Sequence, residues 1–305
     1  MTREELSQDM QDEIFKEENR LKIKKIIISI IKWVLILAIL LILFILYAKN
    51  ISTTGFVIRE ERVINKKLPP ELNGLKIVQF SDLHYGSTIK KKEIKKIVSM
   101  INETEPDIVV FTGDLINSGY KLKNKERENI IKELSSINSS VGNYAVLGEE
   151  DNDEFLTIFN QSNFVILNNT FDLVYYDNNN PILLSGISYS FDHSVYYKAY
   201  DYYNDPNHNS EIFNITLIHQ PDTIYDLKDR FHSDLYLAGH SHNGNIRVPF
   251  IGSLINKKGS KRYHNEYYDL DGTPLYVSSG LGTNTKLGFR LFCRPSISLY
   301  RISNK

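Results

Sequence analysis

The stretch that most constrains this chain runs from Ile26 to Ala48, an almost wholly apolar segment interrupted by Ser29 and Lys32. As an α-helix it would be about 34 Å long, enough to cross the hydrocarbon core of a bilayer. Lys32 lies close enough to the N-terminal end to reach the headgroups along its stem, and Trp33 and Tyr47 fall where interfacial aromatics are expected. No small-x-small cleavage site follows the run, no lipid-accepting cysteine is near it and no twin arginine precedes it, so an uncleaved anchor is expected. Residues 1–25 mix acidic and basic side chains and read as a short, charged, solvated tail. Lys22, Lys24, Lys25 and Lys32 crowd the N-terminal flank, and Lys49 alone follows closely, with Arg59, Arg62, Lys66 and Lys67 further on. That bias favours a single-pass protein of the cell membrane with a cytoplasmic N-terminus and an extracytoplasmic main domain.

Residues 49–72 read as a linker and a first strand, Phe56 to Ile64, with a turn at Pro69-Pro70; residues 73–305 read as one domain. A chain of 305 residues with 42% hydrophobic content can bury one sizeable core besides the anchor. The formal net charge is −1 and no polybasic block lies outside the N-terminal region, so no nucleic-acid partner is expected. Cys293 is the single cysteine, which excludes an intrachain disulfide and a multi-cysteine zinc site; it reads as a small buried residue.

An α/β rhythm follows. The apolar run Leu75 to Phe80 reads as a strand and delivers Asp82 and His84 at its end. A helical stripe of Ile94, Ile97, Val98 and Ile101 leads to a strand over Asp107 to Thr112, which ends in Gly113-Asp114. Ile130, Leu134 and Ile137 mark a second helix, and the strand Asn143 to Leu147 runs into Gly148-Glu149-Glu150-Asp151. Further strands are expected near Phe164 to Leu167 and Pro181 to Ile187, with a short helix at Val195 to Tyr202. Phe213 to Ile218 ends in His219, one more helix follows, and Leu235 to Ala238 ends in Gly239-His240-Ser241-His242. Strands punctuated by Gly and Pro close the chain from 272 to 302. In an extended backbone, side chains at i and i+2 share a face roughly 6–7 Å apart, so His240 and His242 can straddle a pair of ions.

Open α/β sheets bind ligands at the C-terminal edge of their strands, so these five strand ends should converge. Imidazole and carboxylate without thiolate suit Mn, Fe or Zn, and one shared carboxylate can hold two divalent ions close together. His193, His208, His232 and His264 lie in polar stretches and read as surface residues, while Asn117 and Asn245 are candidates to line the pocket.

The order Asp-x-His, Gly-Asp, Gly-x-x-Asp, His and Gly-His-x-His resembles the calcineurin-like metallophosphoesterases from about Asn73 to Arg301. Phe80-Ser81-Asp82-Leu83-His84, His219-Gln220-Pro221-Asp222 and Val248-Pro249-Phe250-Ile251-Gly252 look like the single-pass, membrane-associated bacterial branch. The resemblance implies an α/β fold of four layers, α-β-β-α, in which a double β-sandwich is flanked by helices. It implies two divalent metal ions: Asp82, His84 and His242 on one, His219 and His240 on the other, and Asp114 between them. Such a pair lowers the pKa of a shared water to give hydroxide and clamps phosphoryl oxygens for in-line attack. Asp114, His240 and Glu150 occupy the candidate catalytic positions.

One loop departs from the pattern. Where most members read Gly-Asn-His-Asp or Gly-Asn-His-Glu, this chain reads Gly148-Glu149-Glu150-Asp151. Glu149 can ligate in place of the Asn, lowering the net charge of the metal cluster from roughly +2 to roughly +1. Glu150 stands where a His contacts substrate and assists the leaving group, and a carboxyl donates a proton near pH 7 only if its pKa rises well above about 4.3. The expected function is a membrane-anchored phosphoesterase acting on a phosphodiester or phosphomonoester of a lipid or envelope component. The alternative is a catalytically degenerate module that binds metal or acts as a scaffold.

Overall fold

The structure is a computed structural model that describes residues 8–175, 181–188, 212–228, 232–254, 256–284 and 288–305. The helix expected at Val195 to Tyr202 lies outside the described residues, as do His193 and His208. Two compact units divide the chain, Met1–Tyr47 and Ala48–Lys305.

In the first unit a single helix, α1, spans Gln8–Leu46. Its apolar window has a mean hydropathy of 3.1, and none of it is buried by protein. Ile, Leu and Val side chains stand exposed all round this helix, unlike the one-sided stripe by which a surface helix packs on a core. Among the described residues it is the one helix long and apolar enough to cross a membrane. Five residues of wider π-helical turn, Tyr47–Ile51, follow it.

The second unit is built on two six-stranded sheets. In the first, β1 (Val57–Ile64), β14 (Ser296–Ser303), β2 (Leu75–Phe80), β3 (Ile108–Thr112), β4 (Gly142–Val146) and β5 (Val165–Ile166) lie in that spatial order. β2 to β5 are parallel, as right-handed crossovers through helices require. Those helices are α2 (Lys91–Glu103), α3 (Asn124–Leu134) and α4 (Asp153–Asn160). They cover the outer face, where Ile94, Ile97, Ile130, Phe155 and Phe159 pack on Val78, Phe80, Val109 and Phe111.

The second sheet has the order β12 (Tyr267–Leu270), β13 (Thr273–Val277), β9 (Leu235–Ala238), β8 (Asn214–Ile218), β7 (Pro181–Ile187) and β6 (Thr170–Tyr175). Its inner face meets the first sheet: Ile77, Val110 and Val146 pack with Leu184, Leu217 and Leu237. On its outer face the short helix α5 (Ile224–Leu227) covers Tyr236, Ala238 and Val277. A two-stranded hairpin, β10 (Arg247–Val248) with β11 (Gly252–Ser253), projects after the His240-His242 turn. The four-layer α-β-β-α sandwich expected from the sequence is therefore the architecture.

Strands predicted from apolar runs appear within about a residue or two of their expected bounds. Val57–Ile64 pairs in parallel with the last strand along its whole length, from Val57 opposite Ser296 to Ile64 opposite Ser303. Besides the two short hairpin strands β10 and β11, three elements were not anticipated: α4, β6 and β12. For α4 the local chemistry is plain. The Asn152 side chain accepts from Glu154 N at the helix start, and Phe155, Ile158 and Phe159 fall on one buried face. One polar tie fixes the two sheets where the site lies: buried Gln79, held by the Tyr300 hydroxyl, donates to the carbonyl of Ala238 at 2.8 Å.

Candidate metal centre

Three of the five ligand-bearing loops leave their strands through left-handed backbone. Asp82, His84, Asp114, His240 and His242 have φ of 52°, 43°, 63°, 68° and 48°, all left-handed. This corrects the expectation that Asp82 with His84, and His240 with His242, share a face of extended backbone. Strand pairing stops at Phe80, Thr112 and Ala238, and the ligands lie beyond it. Such conformations cost about 1–3 kcal/mol each and persist where the surroundings over-determine them. Here the loops clasp one another: Asp82 N donates to Gly113 O, His84 N to Asp114 O, Gly239 N to His219 O and Gly282 N to Asp82 O. Gly113 has φ +90°, and a Cβ there would stand 2.3 Å from His219 Nδ1. A Cβ on Gly148 would stand 2.2 Å from Asp114 Oδ1, so both glycines are required for loops to meet at backbone thickness.

The turns bring seven predicted ligands together. Asp114, Glu149, His219 and His240 form one group, Asp82, His84 and His242 a second, and Glu150 joins His84 and Asp114 in a third. His240 and His242 thus face different groups, as the straddling arrangement requires. Asp114 belongs to both sides: its Oδ2 is 3.4 Å from His219 Nε2 and 3.7 Å from His84 Nε2. Glu149 spreads its two oxygens over the first group, 2.7 Å from His219 Nε2 and 2.7 Å from His240 Nδ1. In the second group His84 Nε2 and His242 Nε2 face each other at 3.0 Å, with Asp82 Oδ1 3.3 Å from His242 Nε2.

Asp114 Oδ2, His219 Nε2 and His240 Nδ1 are buried, yet among the described residues they make no hydrogen bond. His219 Nε2 and His240 Nδ1 each lie 2.7 Å from a Glu149 oxygen without forming a hydrogen bond to it. The opposite ring nitrogens are taken: His219 Nδ1 lies 2.7 Å from Thr112 O, His240 Nε2 2.7 Å from Lys258 O, and His242 Nδ1 3.2 Å from Gly282 O. Backbone acceptors behind imidazoles fix the tautomer that presents a lone pair forward. Buried orphan atoms, oriented rings and an all nitrogen-oxygen donor set fit divalent metal ions. Cys293 is buried nearby, but its thiol donates to the His242 carbonyl and takes no place among the ligands.

Charge pairing dominates the protonation states. Burial pushes Asp82 and Glu149 up, but the His242, His219 and His84 rings hold Asp82, and the His219 and His240 rings hold Glu149, far below the usual carboxylate range. Burial pushes His219 down, and Asp114 with Glu149 overturns this and holds it well above its ordinary value. His242 goes the other way, lowered by burial and by the Lys257 ammonium. Glu150, raised by burial, is brought below the normal range chiefly by His84, whose Nδ1 is 3.2 Å away, and by the Ser118 N–H at 2.7 Å. Glu150 is therefore ionised near neutral pH and has no proton to give a leaving group.

Three contributors were given no role by the sequence reading. Asp151 accepts from the N–H groups of Asp114, Leu115 and Gly148, tying two ligand loops together; burial and the nearby Asp114 push its carboxyl up to about 7. Buried Arg290 donates to the carbonyls of Ser279 and Gly282 behind His242. Lys257 brings a buried ammonium close enough to act on Glu150 and His242. Asp151 was visible as the last residue of Gly-x-x-Asp, whereas Lys257 and Arg290 sit in stretches with no local signal. Asn245 is buried just after the His240-His242 turn, and the Asn117 side chain bonds the Ser118 carbonyl. His232 lies against Asp234 and His264 against Lys261 O, both outside the ligand groups.

Comparison with known proteins agrees with this geometry. A family model described as calcineurin-like phosphoesterase matches residues 75–244, from β2 through the His240-His242 turn. The chain is 27% identical to the metallophosphoesterase YkuE of Bacillus subtilis, over 85% of this chain and 89% of that one. It is 32% identical to the metallophosphoesterase Cj0846 of Campylobacter jejuni, over 73% of this chain and 58% of the relative. With UDP-2,3-diacylglucosamine pyrophosphatase LpxG of Chlamydia muridarum it shares 30% identity over 75% of this chain and 84% of the relative. A family match across more than half the chain, on the elements that carry the ligands, means that this protein belongs to the calcineurin-like phosphoesterases.

Proposed function

We propose that this metal-dependent hydrolase is a membrane-anchored enzyme cleaving a lipid-linked phosphate linkage whose leaving group departs as an anion. The observation that carries the reading is Asp114 Oδ2, orphaned and buried between His219 and His84, with Glu149 on one side and Asp82 on the other. Asp82, His84 and His242 would hold one metal, Glu149, His219 and His240 the other, and Asp114 would bridge. When bound, such a pair supplies an activated water and charge stabilisation for the phosphoryl group. The chain's own part is positional. Backbone carbonyls hold the imidazoles forward, and Asp151 locks the Asp114 loop to the Glu149 loop.

Ionised Glu150 supports the choice of linkage. An alkoxide must be protonated as it leaves, and Glu150 cannot do that. A phosphate leaving group, whose second pKa is about 6, needs no proton near neutral pH. The name of the LpxG relative denotes such a pyrophosphate bond on an acylated sugar nucleotide. The apolar helix α1 supports a substrate at the bilayer, and the lysines on its N-terminal flank support a cytoplasmic N-terminus with the hydrolase unit outside.

The test is turnover by the full-length protein in detergent, loaded with Mn, on three substrates: a lipid-linked pyrophosphate, an aryl phosphodiester and an alkyl phosphodiester. The expected order of rates is the first two well above the third. Protein that binds two metals per chain and turns over none of them would instead be a metal-binding scaffold.

A further inference from the structure

We propose that Lys257 is the cation that binds the transferred phosphoryl group in this site, doing electrostatically what the ionised Glu150 cannot. The inference rests on the phosphoesterase reading. Lys257 Nζ is buried and has no hydrogen-bond partner among the described residues. The next residue along, Lys258, places its carbonyl 2.7 Å from His240 Nε2, which brings Lys257 to the edge of the ligand groups, and the carboxylates that act on its charge are Asp82, Asp114, Glu149 and Glu150. Burial lowers its pKa, and the pull of those four carboxylates opposes that shift.

The turn that carries Lys257 is fixed to the site at several points. The carbonyl of Lys258 lies 2.7 Å from His240 Nε2, and Ser260 N donates to the carbonyl of Lys257. Gly259, at φ +92°, passes so close to Gln220 that a Cβ there would clash, and its carbonyl accepts from Asp222 N. The Asp222 carboxylate in turn accepts the N–H groups of Lys261, Arg262 and Tyr263. The loop after His219 and the turn of His240 therefore both hold the backbone that carries Lys257.

A buried ammonium without a hydrogen bond is unfavourable unless something compensates it. Carboxylates engaged with divalent ions no longer serve as its counter-charges, which leaves its three N–H donors without an acceptor among the described residues. A phosphoryl anion supplies the compensation, and the Lys charge offsets Glu150, whose anion would otherwise repel the substrate.

The test is calorimetric titration of inorganic phosphate into the full-length, metal-loaded protein, with metal content measured on the same samples. K257M, close in volume, should keep wild-type metal content and bind phosphate about tenfold or more weakly; K257R should recover most of the loss. Should K257M fold poorly by circular dichroism, K257Q serves for the same comparison. Unchanged phosphate affinity in the neutral variants, or a loss that tracks metal content, would overturn the assignment. Wild-type protein that holds metal and binds no phosphate would remove the phosphoesterase reading, and this inference with it.

Discussion

Arg290 and His242 meet at one carbonyl: Gly282 O is 2.6 Å from Arg290 Nη2 and 3.2 Å from His242 Nδ1. The two nitrogens are themselves 3.2 Å apart, which fits two donors sharing one acceptor. Nδ1 then carries the proton and Nε2 presents its lone pair towards Asp82 and His84. Arg290 anchors the arrangement through its other arm to Ser279 O, and its main-chain N–H donates to the carbonyl of Ala48. One residue thus joins the start of the hydrolase unit to a ring at its centre. Arg290→Lys keeps the charge and loses the fork. Metal affinity in the Asp82, His84 and His242 group should fall about 10- to 100-fold, with the Glu149 group affected less. Two-site metal titration by calorimetry separates these; equal weakening of both groups would argue against a local role.

Asp114→Asn removes the one carboxylate common to both sides. Hydrolysis should drop by about a thousandfold or more, because neither group keeps its shared ligand. The thermal midpoint of the metal-free protein should fall, since the carboxylate that holds His219 protonated is exchanged for a neutral amide. Added metal, which stabilises wild type by mass action, should no longer raise it. Differential scanning with and without chelator reads both effects.

The pH dependence of the metal-free protein follows from opposed shifts. Asp82 and Glu149 are depressed, so the stability they lend is present above about pH 5 and is lost as pH falls towards their folded values. His219 is raised, so its contribution is full below about pH 6.5 and is lost as pH rises through its folded value. His242, lowered, and Asp151, raised to about 7, add opposite slopes that offset one another between about pH 5 and 6.5, so urea midpoints in chelator should change least there and fall on both sides. Metal binding needs His219 Nε2 unprotonated, so affinity should rise with pH and protons should be released, measurable in buffers of different ionisation enthalpy. A pH-independent affinity across neutrality would show that His219 does not ligate.

The strand ends were legible because apolar runs such as Leu75–Phe80 and Leu235–Ala238 stop abruptly at Asp, Gly or His, and the parallel sheet rule brings such ends to one edge. Their left-handed backbone was not legible, since Asp82 or His240 looks the same in sequence whether extended or turned. The α4 stripe of Phe155, Ile158 and Phe159 has ordinary helical spacing, hidden behind an acidic loop that reads as solvated. Lys257 lies in a polar stretch whose turn is held by its neighbours' contacts with distant residues, Lys258 O with His240 and Gly259 with Gln220. Arg290 pairs with backbone carbonyls, which carry no residue-type signal at all.

Rebuilding the family loop, Glu149→Asn with Glu150→His, should change selectivity more than overall rate. The new His can protonate an alkoxide, so alkyl phosphodiester hydrolysis should gain about a hundredfold, within the usual range for general acid catalysis. A pyrophosphate linkage needs no such proton and should change by less than about tenfold. A parallel gain on both substrates would mean that the native loop is impaired rather than suited to anionic leaving groups. The ratio of kcat/KM values for the two substrates, not either rate alone, carries the answer.

The hairpin β10–β11 offers the last prediction. At its tip Phe250 is 109% exposed and Ile251 73%, and Leu254 stands out beside them at 56%. Phe250 is also held at φ +68°, an uncommon conformation for a bulky apolar residue. The hairpin's base connects to the chain's entry into this unit: Ile246 bridges Leu291, Arg247 N donates to Leu291 O, and neighbouring Arg290 bonds Ala48, two residues past the end of α1. On the proposed membrane-anchored reading, exposed apolar side chains at this tip would gain free energy by entering lipid, about 1.5–3 kcal/mol for each one fully buried. Phe250→Asp with Ile251→Asp should therefore leave kcat/KM on a soluble aryl phosphodiester within about twofold. On a lipid-linked substrate in vesicles the same variant should lose about tenfold or more, and adding detergent to dissolve the vesicles should erase the difference. An equal loss on both substrates would instead place the hairpin's role in shaping the metal centre, since it begins three residues after Gly244 and Arg247 N bonds the carbonyl of Leu291 beside Arg290.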